Sequence, residues 1–331
     1  MTFRYLTIAA AVFLGACATS NPAKTATDMP EWRLVIHGGA GVITRDGMTP
    51  EKEAAYTAAL ETALEAGAQV LRSGGSALDA VEAAVIPMED DPLFNAGYGA
   101  VMTASQEHEL DASIMDGRDR NAGAVAGVKR VRNPIRAARA VMEQSEHVMF
   151  AGDGADAFAE SQGLDMVDNS YFYTERRQNA LERVLKDRKR TAEDRHGTVG
   201  AVAIDMNGNL AAATTTGGMT AKAAGRIGDS PLIGAATYAE NGVCAVSATG
   251  HGEYFIRVGV AKTICDRVKL AGDDLKQAAD TALAEVADLG GDGGVIVIGA
   301  DGDFAFIFNS EGMYRGLIDA SGARTAIYGD E

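Results

Sequence analysis

The threonine at position 198 could act as a nucleophile if the chain were cut directly before it. Thr198 follows Gly197 and opens the apolar segment TVGAVAI at 198–204, which predicts a buried strand. Cleavage of the Gly197–Thr198 bond would leave Thr198 with both a hydroxyl and a free α-amino group. Since an α-amino group has a pKa of roughly 7.7–8, it can act as a general base near neutral pH and activate the hydroxyl beside it. One cut would therefore create a nucleophile together with its base.

Two further threonines end predicted strands in the second half of the chain. Thr216 is followed by two glycines, and Thr249 is followed by the residues GHG at 250–252. Because the ends of neighbouring strands can meet at one edge of a sheet, these hydroxyls could share a pocket with Thr198. Threonine favours strands in any case. The prediction of a common site therefore depends on all three occurring together.

A glycine-containing loop places a cation and an anion three residues apart, at Arg226 and Asp229. The planar guanidinium of arginine matches a carboxylate, and an aspartate can accept hydrogen bonds from an ammonium group. The two residues could therefore recognise the zwitterionic head of an α-amino acid. The alternative is a surface salt bridge worth less than about 1 kcal/mol.

The elements that must position these residues form a layered pattern. Strands cluster and helices cluster along the chain, which favours an α+β fold over strict βαβ alternation. The halves 31–197 and 198–331 are expected to form one entwined domain, joined by an exposed linker at the end of 174–197 that suits cleavage. We predict helices at 50–72, 76–86, 133–144, 253–270 and 274–288, and strands at 32–37, 100–103, 122–128, 198–205, 209–216, 242–248, 294–300 and 304–309.

The first 17 residues are typical of a secretory signal. An apolar segment at 5–16 follows Arg4 and is too short for a comfortable membrane span. The sequence LGAC at 14–17 resembles a bacterial lipobox, in which Cys17 would carry a lipid, and 18–30 would form a flexible tether. We therefore expect an exported, periplasmic, lipid-anchored protein, with the outer membrane favoured because Ala18 is not acidic. An ordinary cleaved signal and an uncleaved anchor are the alternatives.

Composition excludes one class of partner. The 331 residues carry a net charge of −16, which repels nucleic acid, while 47% hydrophobic residues support a large core. The lipid is the only expected membrane contact. Cys244 and Cys265 lie in apolar segments and are expected to be two buried thiols.

Taken together, these motifs resemble the plant-type L-asparaginase/isoaspartyl peptidase family of N-terminal-nucleophile hydrolases. The likeness extends from about residue 33 to the C-terminus. Its motifs are HGGAG at 37–41, FNAGYG at 94–99, HELDA at 108–112, MDG at 115–117, HGTVGAV at 196–202, ATTTGGM at 213–219, GRIGDSP at 225–231 and TGHGE at 249–253.

The resemblance implies a four-layer αββα sandwich that cleaves itself between Gly197 and Thr198 into an α subunit, 31–197, and a β subunit, 198–331. It implies that Thr198 is the nucleophile and that Thr216 hydrogen-bonds to it and tunes its reactivity. Thr249 and Gly250 would form the oxyanion hole, which stabilises the charge on the attacked carbonyl.

The substrates implied are L-asparagine and β-aspartyl dipeptides, both hydrolysed to L-aspartate. Arg226 would bind the substrate α-carboxylate and Asp229 its α-ammonium. The remaining residues expected to line the substrate site are Asn95, Ile227, Gly228, His251 and Gly252.

The resemblance also implies a homodimer of processed αβ units and no cofactor for catalysis. A structural sodium ion is expected to bind the backbone carbonyls of one loop. These belong to Met88, Glu89, Asp91, Phe94, Ala96 and Tyr98.

The roles of three histidines and two alternative functions remain to be considered. His251 stands where smaller polar residues are common in the family, so it either shapes the pocket or faces solvent without a role. His37 is expected to be packed or to cap a turn, and His196 lies on the departing side of the cut. A glycosylasparaginase-like amidase and a non-catalytic amino-acid-binding lipoprotein are the alternative functions.

Overall fold

A computed structural model describes residues 32–187 and 197–331. The predicted signal, Cys17, the tether and His196 lie outside the described residues. The described strands are β1 (Arg33–Gly41), β2 (Leu110–Asp116), β3 (Ala122–Val128), β4 (Met149–Ala151), β5 (Val199–Ile204), β6 (Leu210–Thr216), β7 (Thr237–Glu240), β8 (Cys244–Gly250), β9 (Gly293–Gly299), β10 (Phe304–Phe308), β11 (Gly312–Asp319) and β12 (Gly322–Tyr328).

These strands form two sheets that face each other. The larger sheet has the order β12-β11-β1-β5-β6-β2-β3-β4, and the smaller one has the order β10-β9-β8-β7. Neighbouring strands are antiparallel except for β3 and β4. The inner face between the sheets is mainly apolar, with Val35, Val202, Ile296 and Ile298 buried in one cluster.

Helices cover the outer face of each sheet. α1 to α3 pack on the larger sheet, while α7 and α8 pack on the smaller one. This arrangement is a four-layer αββα sandwich, so the expected fold class is confirmed. The helices are α1 (Pro50–Arg72), α2 (Ala77–Asp90), α3 (Pro134–Gln144), α4 (Gly152–Ser161), α5 (Glu175–Asp187), α6 (Gly252–Val258), α7 (Val260–Asp266) and α8 (Leu275–Asp288).

Capping residues explain where several helices begin. Thr49 accepts a hydrogen bond from the backbone N–H of Lys52, with Pro50 in the first turn of α1. Ser76 accepts from the backbone N–H of Asp79 and caps α2 in the same way. These helices therefore begin where the sequence predicts. α2 continues through Pro87 to Asp90, four residues beyond the predicted end.

Two predicted elements are wrong. The expected strand at 100–103 is irregular, because the Asn95 side chain accepts the backbone N–H of Val101 at 2.9 Å and thereby fixes the chain as a loop. The expected helix at 253–270 is broken at Gly259, whose φ of +64° ends α6 and starts α7. A π-helical turn, Arg267–Ala271, follows.

The two buried cysteines form a disulfide, so the expectation of separate thiols is wrong. Cys244 lies at the start of β8 and Cys265 lies in α7, with their Cα atoms 5.6 Å apart. Both side chains are buried in the core that α7 shares with the smaller sheet. The sequence places both residues in apolar segments, but it does not show that the two segments pack against each other.

In residues 32–187 and 197–331, every helix is too short or too polar to span a bilayer.

Candidate active site

Thr198 and Thr216 lie side by side at the ends of two paired strands. β5 and β6 are antiparallel neighbours, with Val199 opposite Thr215. This register places Thr198, directly before β5, next to the last residue of β6. The two side-chain hydroxyl oxygens are 3.2 Å apart, with Thr198 as the donor, and both residues are buried.

The carbonyl of Gly197 receives two hydrogen bonds at this place. Asn95 Nδ2 donates to it at 2.6 Å and Thr216 Oγ1 donates to it at 3.1 Å. Asn95 is itself fixed, because its Nδ2 also donates to the Gly218 carbonyl. The backbone N–H of Gly218 in turn donates to Thr216 Oγ1 at 3.0 Å. The bond before Thr198 is therefore polarised by two donors, which are aimed at its oxygen.

Glycine is required on both sides of this contact. Gly197 has a φ of +118°, and a Cβ there would lie 2.9 Å from Asn95 Cβ. Gly39 of β1 has a φ of +110°, and a Cβ there would lie 3.0 Å from the Gly197 Cα. A side chain at either position would therefore be strained and would push the Gly197–Thr198 bond away from its donors.

His37 supports the nucleophile from β1. Its Nδ1 lies 3.1 Å from the Thr198 carbonyl oxygen and its Nε2 lies 2.9 Å from Ser247 Oγ. The ring is fully buried, and this burial lowers its pKa to about 3, so the imidazole is neutral at physiological pH. The packed position expected for this histidine agrees with the structure.

Thr249 and Gly250 end β8 on the facing sheet. Thr249 is buried, and its Oγ1 accepts the backbone N–H of Ala40 at 3.4 Å. Ala40 follows Gly39, which touches the cleavage site, so the end of β8 lies close to Thr198. Gly293 of β9 permits this packing, because a Cβ there would lie 2.4 Å from the Thr249 carbonyl oxygen.

The predicted substrate clamp forms a second group of contacts. Gly252, at the start of α6, lies against both clamp residues: a Cβ on it would be 2.7 Å from Asp229 Oδ1 and 3.2 Å from Arg226 Nη2. Asp229 is buried, and within the described ranges its Oδ2 has no hydrogen-bond partner. Burial raises the pKa of this carboxyl to about 7. Its Oδ2, which has no partner within these ranges, is a buried acceptor with unmet hydrogen-bonding capacity.

The alternative to the clamp, a surface salt bridge between Arg226 and Asp229, does not occur. Arg226 instead donates from Nε and Nη2 to the two carboxylate oxygens of Glu253, at 3.0 and 2.9 Å. Gly228 packs on the guanidinium, since a Cβ there would lie 2.8 Å from Nη1. The Ile227 side chain lies near Gly127, since a Cβ on Gly127 would be 3.9 Å from Ile227 Cδ1. Sequence reasoning missed Glu253 as a site residue, and its only signal is its position within the TGHGE motif.

His251 lies beside this clamp. Its Nε2 is 3.4 Å from Glu253 Oε2, and its ring packs edge-on against Tyr254 with centroids 4.6 Å apart. Its backbone N–H donates to the Asp292 carbonyl at 3.0 Å. These contacts place His251 beside the clamp, and its role in the pocket stays a prediction.

The residues whose backbone carbonyls are predicted to bind sodium, 88–98, comprise the last turn of α2 and the loop that follows it. Gly97 has a φ of +48°, and a Cβ there would lie 2.2 Å from the Glu89 carbonyl oxygen; a Cβ on Gly99 would lie 2.1 Å from that of Phe94. Carbonyl oxygens are donors that suit hard cations, and the C-terminal end of a helix favours positive charge. The chemistry of these groups is compatible with sodium, and the ion itself stays a prediction. The described ranges contain no group of three or more His, Cys, Asp or Glu that could bind a metal.

The facing sheets and the outer helices, with a threonine directly before an inner strand, form the fold of the N-terminal-nucleophile hydrolases. Within this class the chain belongs to the asparaginase family, whose family model matches residues 30–327. The family expected from the motifs is thereby confirmed.

Several curated proteins of this family are similar over most of their length. The isoaspartyl peptidase of Escherichia coli K12 is 49% identical over 295 residues, which cover 85% of this chain and 91% of the relative. The isoaspartyl peptidase/L-asparaginase of Xenopus laevis is 42% identical over 301 residues, covering 90% and 96%. The human isoaspartyl peptidase/L-asparaginase is 42% identical over 285 residues, covering 85% and 91%.

Proposed function

We propose that the chain is an isoaspartyl peptidase and L-asparaginase that activates itself by cleaving the Gly197–Thr198 bond. Relatives that carry these names cover most of its length. The observation that carries the self-cleavage is the hydrogen-bonded path from the Thr198 hydroxyl through Thr216 to the Gly197 carbonyl.

In the self-cleavage step, Thr198 Oγ1 attacks the Gly197 carbonyl carbon, and its proton is relayed through the Thr216 hydroxyl, which accepts it while releasing its own proton toward the Thr198 nitrogen. The carbonyl oxygen becomes an oxyanion, which Asn95 Nδ2 and Thr216 Oγ1 stabilise by the bonds they already make. The C–N bond then breaks, the Thr198 nitrogen takes up a proton, and an ester joins Gly197 to Thr198 Oγ1. Water hydrolyses this ester, leaving a carboxylate on Gly197 and a free amine on Thr198.

In turnover, the Thr198 amine takes the proton from its own hydroxyl while Oγ1 attacks the β-carbonyl of the substrate. Thr249 and Gly250 stabilise the oxyanion. The proton is passed to the leaving group, which departs as ammonia from L-asparagine or as an amino acid from a β-aspartyl dipeptide. Water then hydrolyses the aspartyl ester on Thr198 and releases L-aspartate.

The clamp selects the L-aspartyl head of the substrate. The buried Asp229 oxygen that lacks a partner would accept hydrogen bonds from the substrate ammonium, and a bound cation would favour its ionised form. Arg226 would bind the α-carboxylate, in competition with Glu253. Ile227, Gly228, His251 and Gly252 complete the proposed lining, and Asn95 closes it from the side of the cleaved bond.

The proposal also covers the oligomeric state, the cofactor requirement and the bound sodium ion. The processed units would form an (αβ)₂ homodimer, and catalysis would use no cofactor. A sodium ion would order the loop at 88–98. It would do so without taking part in the reaction.

We further propose that the protein is exported and lipid-anchored through Cys17 on the periplasmic side. The disulfide between Cys244 and Cys265 supports export, because disulfides persist in oxidising compartments and are rare in the cytosol. The short apolar segment and the LGAC sequence at 14–17 support the lipid anchor.

One experiment separates this function from its alternatives. Intact-mass spectrometry of the purified protein should give two chains with a break before Thr198, and β-aspartyl-leucine and L-asparagine should release L-aspartate. Release of the glycosylamine from a glycosylated asparagine, in place of these products, would favour a glycosylasparaginase. An unbroken chain that binds amino acids without hydrolysis would favour a binding protein.

A further inference from the structure

A chain of buried hydrogen bonds crosses the space between the two sheets. It starts at the carbonyl of Thr198 and ends at the carbonyl of Ser230, beside Asp229 of the clamp. Its five side chains are fully buried. In order they are His37, Ser247, Thr214, Thr237 and Ser113, with oxygen–oxygen distances of 2.7 Å from Ser247 to Thr214, 2.6 Å from Thr214 to Thr237, and 2.7 Å from Thr237 to Ser113.

The protons along this chain have one consistent direction. The Thr198 carbonyl can only accept, so His37 Nδ1 must carry the proton of the neutral ring, and His37 Nε2 must then accept from Ser247. Ser247 in turn accepts from Thr214. The next two hydrogen bonds have the same direction, since Thr237 donates to Thr214 and Ser113 donates to Thr237. Ser247, Thr214 and Thr237 therefore donate toward the nucleophile, while the single proton of Ser113 is shared between Thr237 Oγ1 and the Ser230 carbonyl.

In this core, the buried polar side chains destabilise the fold unless each of them keeps its hydrogen-bond partners. Apolar side chains such as Val202 and Ile296 fill the rest of the interface between the sheets, and a polar group left there without a partner is destabilising. Gly200 provides the space, since a Cβ there would lie 2.0 Å from Ser247 Oγ and 2.6 Å from His37 Nε2.

We propose that these hydroxyls are positioning residues that fix Thr198 relative to the loop carrying Arg226 and Asp229. One end of the chain fixes the backbone of the nucleophile. At the other end, Ser113 Oγ lies 2.5 Å from the Ser230 carbonyl and fixes the residue next to Asp229. The kinetic part of this inference rests on the proposed function. A loss of positioning should affect the rate, because a displacement of 1 Å between nucleophile and bound substrate can reduce it about 100-fold.

The test compares two neighbouring threonines of β6. Thr214→Val removes the middle hydroxyl, whereas Thr215→Val removes an equally buried hydroxyl on the other face of the strand, where it donates to Glu89 Oε1 at 2.8 Å. We expect kcat for β-aspartyl-leucine, per processed Thr198, to be at least about tenfold lower in Thr214→Val than in Thr215→Val. KM should change far less than kcat, and Thr214→Ser should restore most of the rate. Equal kcat values in the two valine variants would overturn the proposal.

Two further measurements keep the outcome decisive. If Thr214→Val does not fold, Ser247→Ala is compared with the same control, because it interrupts the series of hydrogen bonds at the neighbouring link. The ¹⁵N spectrum of the wild-type histidines should show His37 as the neutral Nδ1–H tautomer, and an Nε2–H tautomer would contradict the proton direction. This spectrum does not depend on turnover, so it tests the series of hydrogen bonds even if the wild type releases no aspartate. A wild type that releases no aspartate would reject the proposed function instead.

Discussion

Glu253 holds the guanidinium of Arg226 through both carboxylate oxygens, at 3.0 and 2.9 Å from Nε and Nη2. The two groups form the same bidentate pair that a substrate α-carboxylate would form with Arg226. Glu253 therefore occupies donors that the proposed substrate needs. Its own pKa is lowered mainly by the hydrogen bond and charge of Arg226, against the effect of its partial burial, so it is ionised at neutral pH.

Replacing this carboxylate should strengthen substrate binding. In Glu253→Gln the side chain keeps its size but no longer repels the incoming carboxylate or pairs with Arg226 as an ion. We expect KM for L-asparagine to fall about three- to tenfold with kcat within about twofold, corresponding to roughly 0.7–1.4 kcal/mol. Glu160→Gln, which removes a surface partner of Arg130, serves as control. A rise in KM would mean that Glu253 orients Arg226 and does not compete for it.

Substrate affinity should depend on pH through Asp229. Its carboxyl has a pKa of about 7 because it is buried, and only the ionised form attracts the substrate ammonium. We therefore expect KM to rise as pH falls through 7 and to level off above it. Asp229→Asn should bind more weakly at pH 8 and show no step near pH 7. A KM that stays constant between pH 6 and 8 in the wild type would contradict this role.

The local parts of the fold and site are predictable from sequence. Thr49, Pro50 and Ser76 mark helix starts by side-chain chemistry that acts within one turn. Asn207 and Gly208 predict the hairpin between β5 and β6, and Gly208 has the expected positive φ of +76°. The site motifs are contiguous in the chain, and for this reason the family could be identified from them.

Contacts between distant segments are not predictable in this way. The disulfide joins residues of a strand and a helix that are 21 positions apart, and periodicity gives no sign that they meet. The hydroxyl chain draws Ser113, Thr214 and Ser247 from three strands, and each residue alone reads as an ordinary strand residue. The sequence does not predict β2, β4, β7, β11 and β12, because β4 has only three residues and polar residues or glycines interrupt the apolar pattern of the others.

The disulfide should contribute to stability. A bridge that closes a loop of about 20 residues stabilises a fold by about 3 kcal/mol in the chain-entropy account. We expect Cys244→Ser with Cys265→Ser to lower the free energy of unfolding by about this amount, as measured by urea denaturation. The loss should match that of the wild type in a reductant. Two reactive thiols in denatured, unreduced wild type, apart from Cys17, would show that the bridge does not form.

Asn95 should be needed for self-cleavage more than for folding. Its Nδ2 lies 2.6 Å from the Gly197 carbonyl, where charge develops when Thr198 attacks. Loss of one such donor typically slows a reaction about 100- to 1,000-fold, so Asn95→Ala should accumulate as one intact chain on a denaturing gel. Asn169→Ala is a matched control, because Asn169 likewise binds two backbone carbonyls and one N–H, but far from the cleavage site. Equal rates of cleavage in the two variants would assign Asn95 a purely structural role and leave Thr216 as the remaining donor to the Gly197 carbonyl.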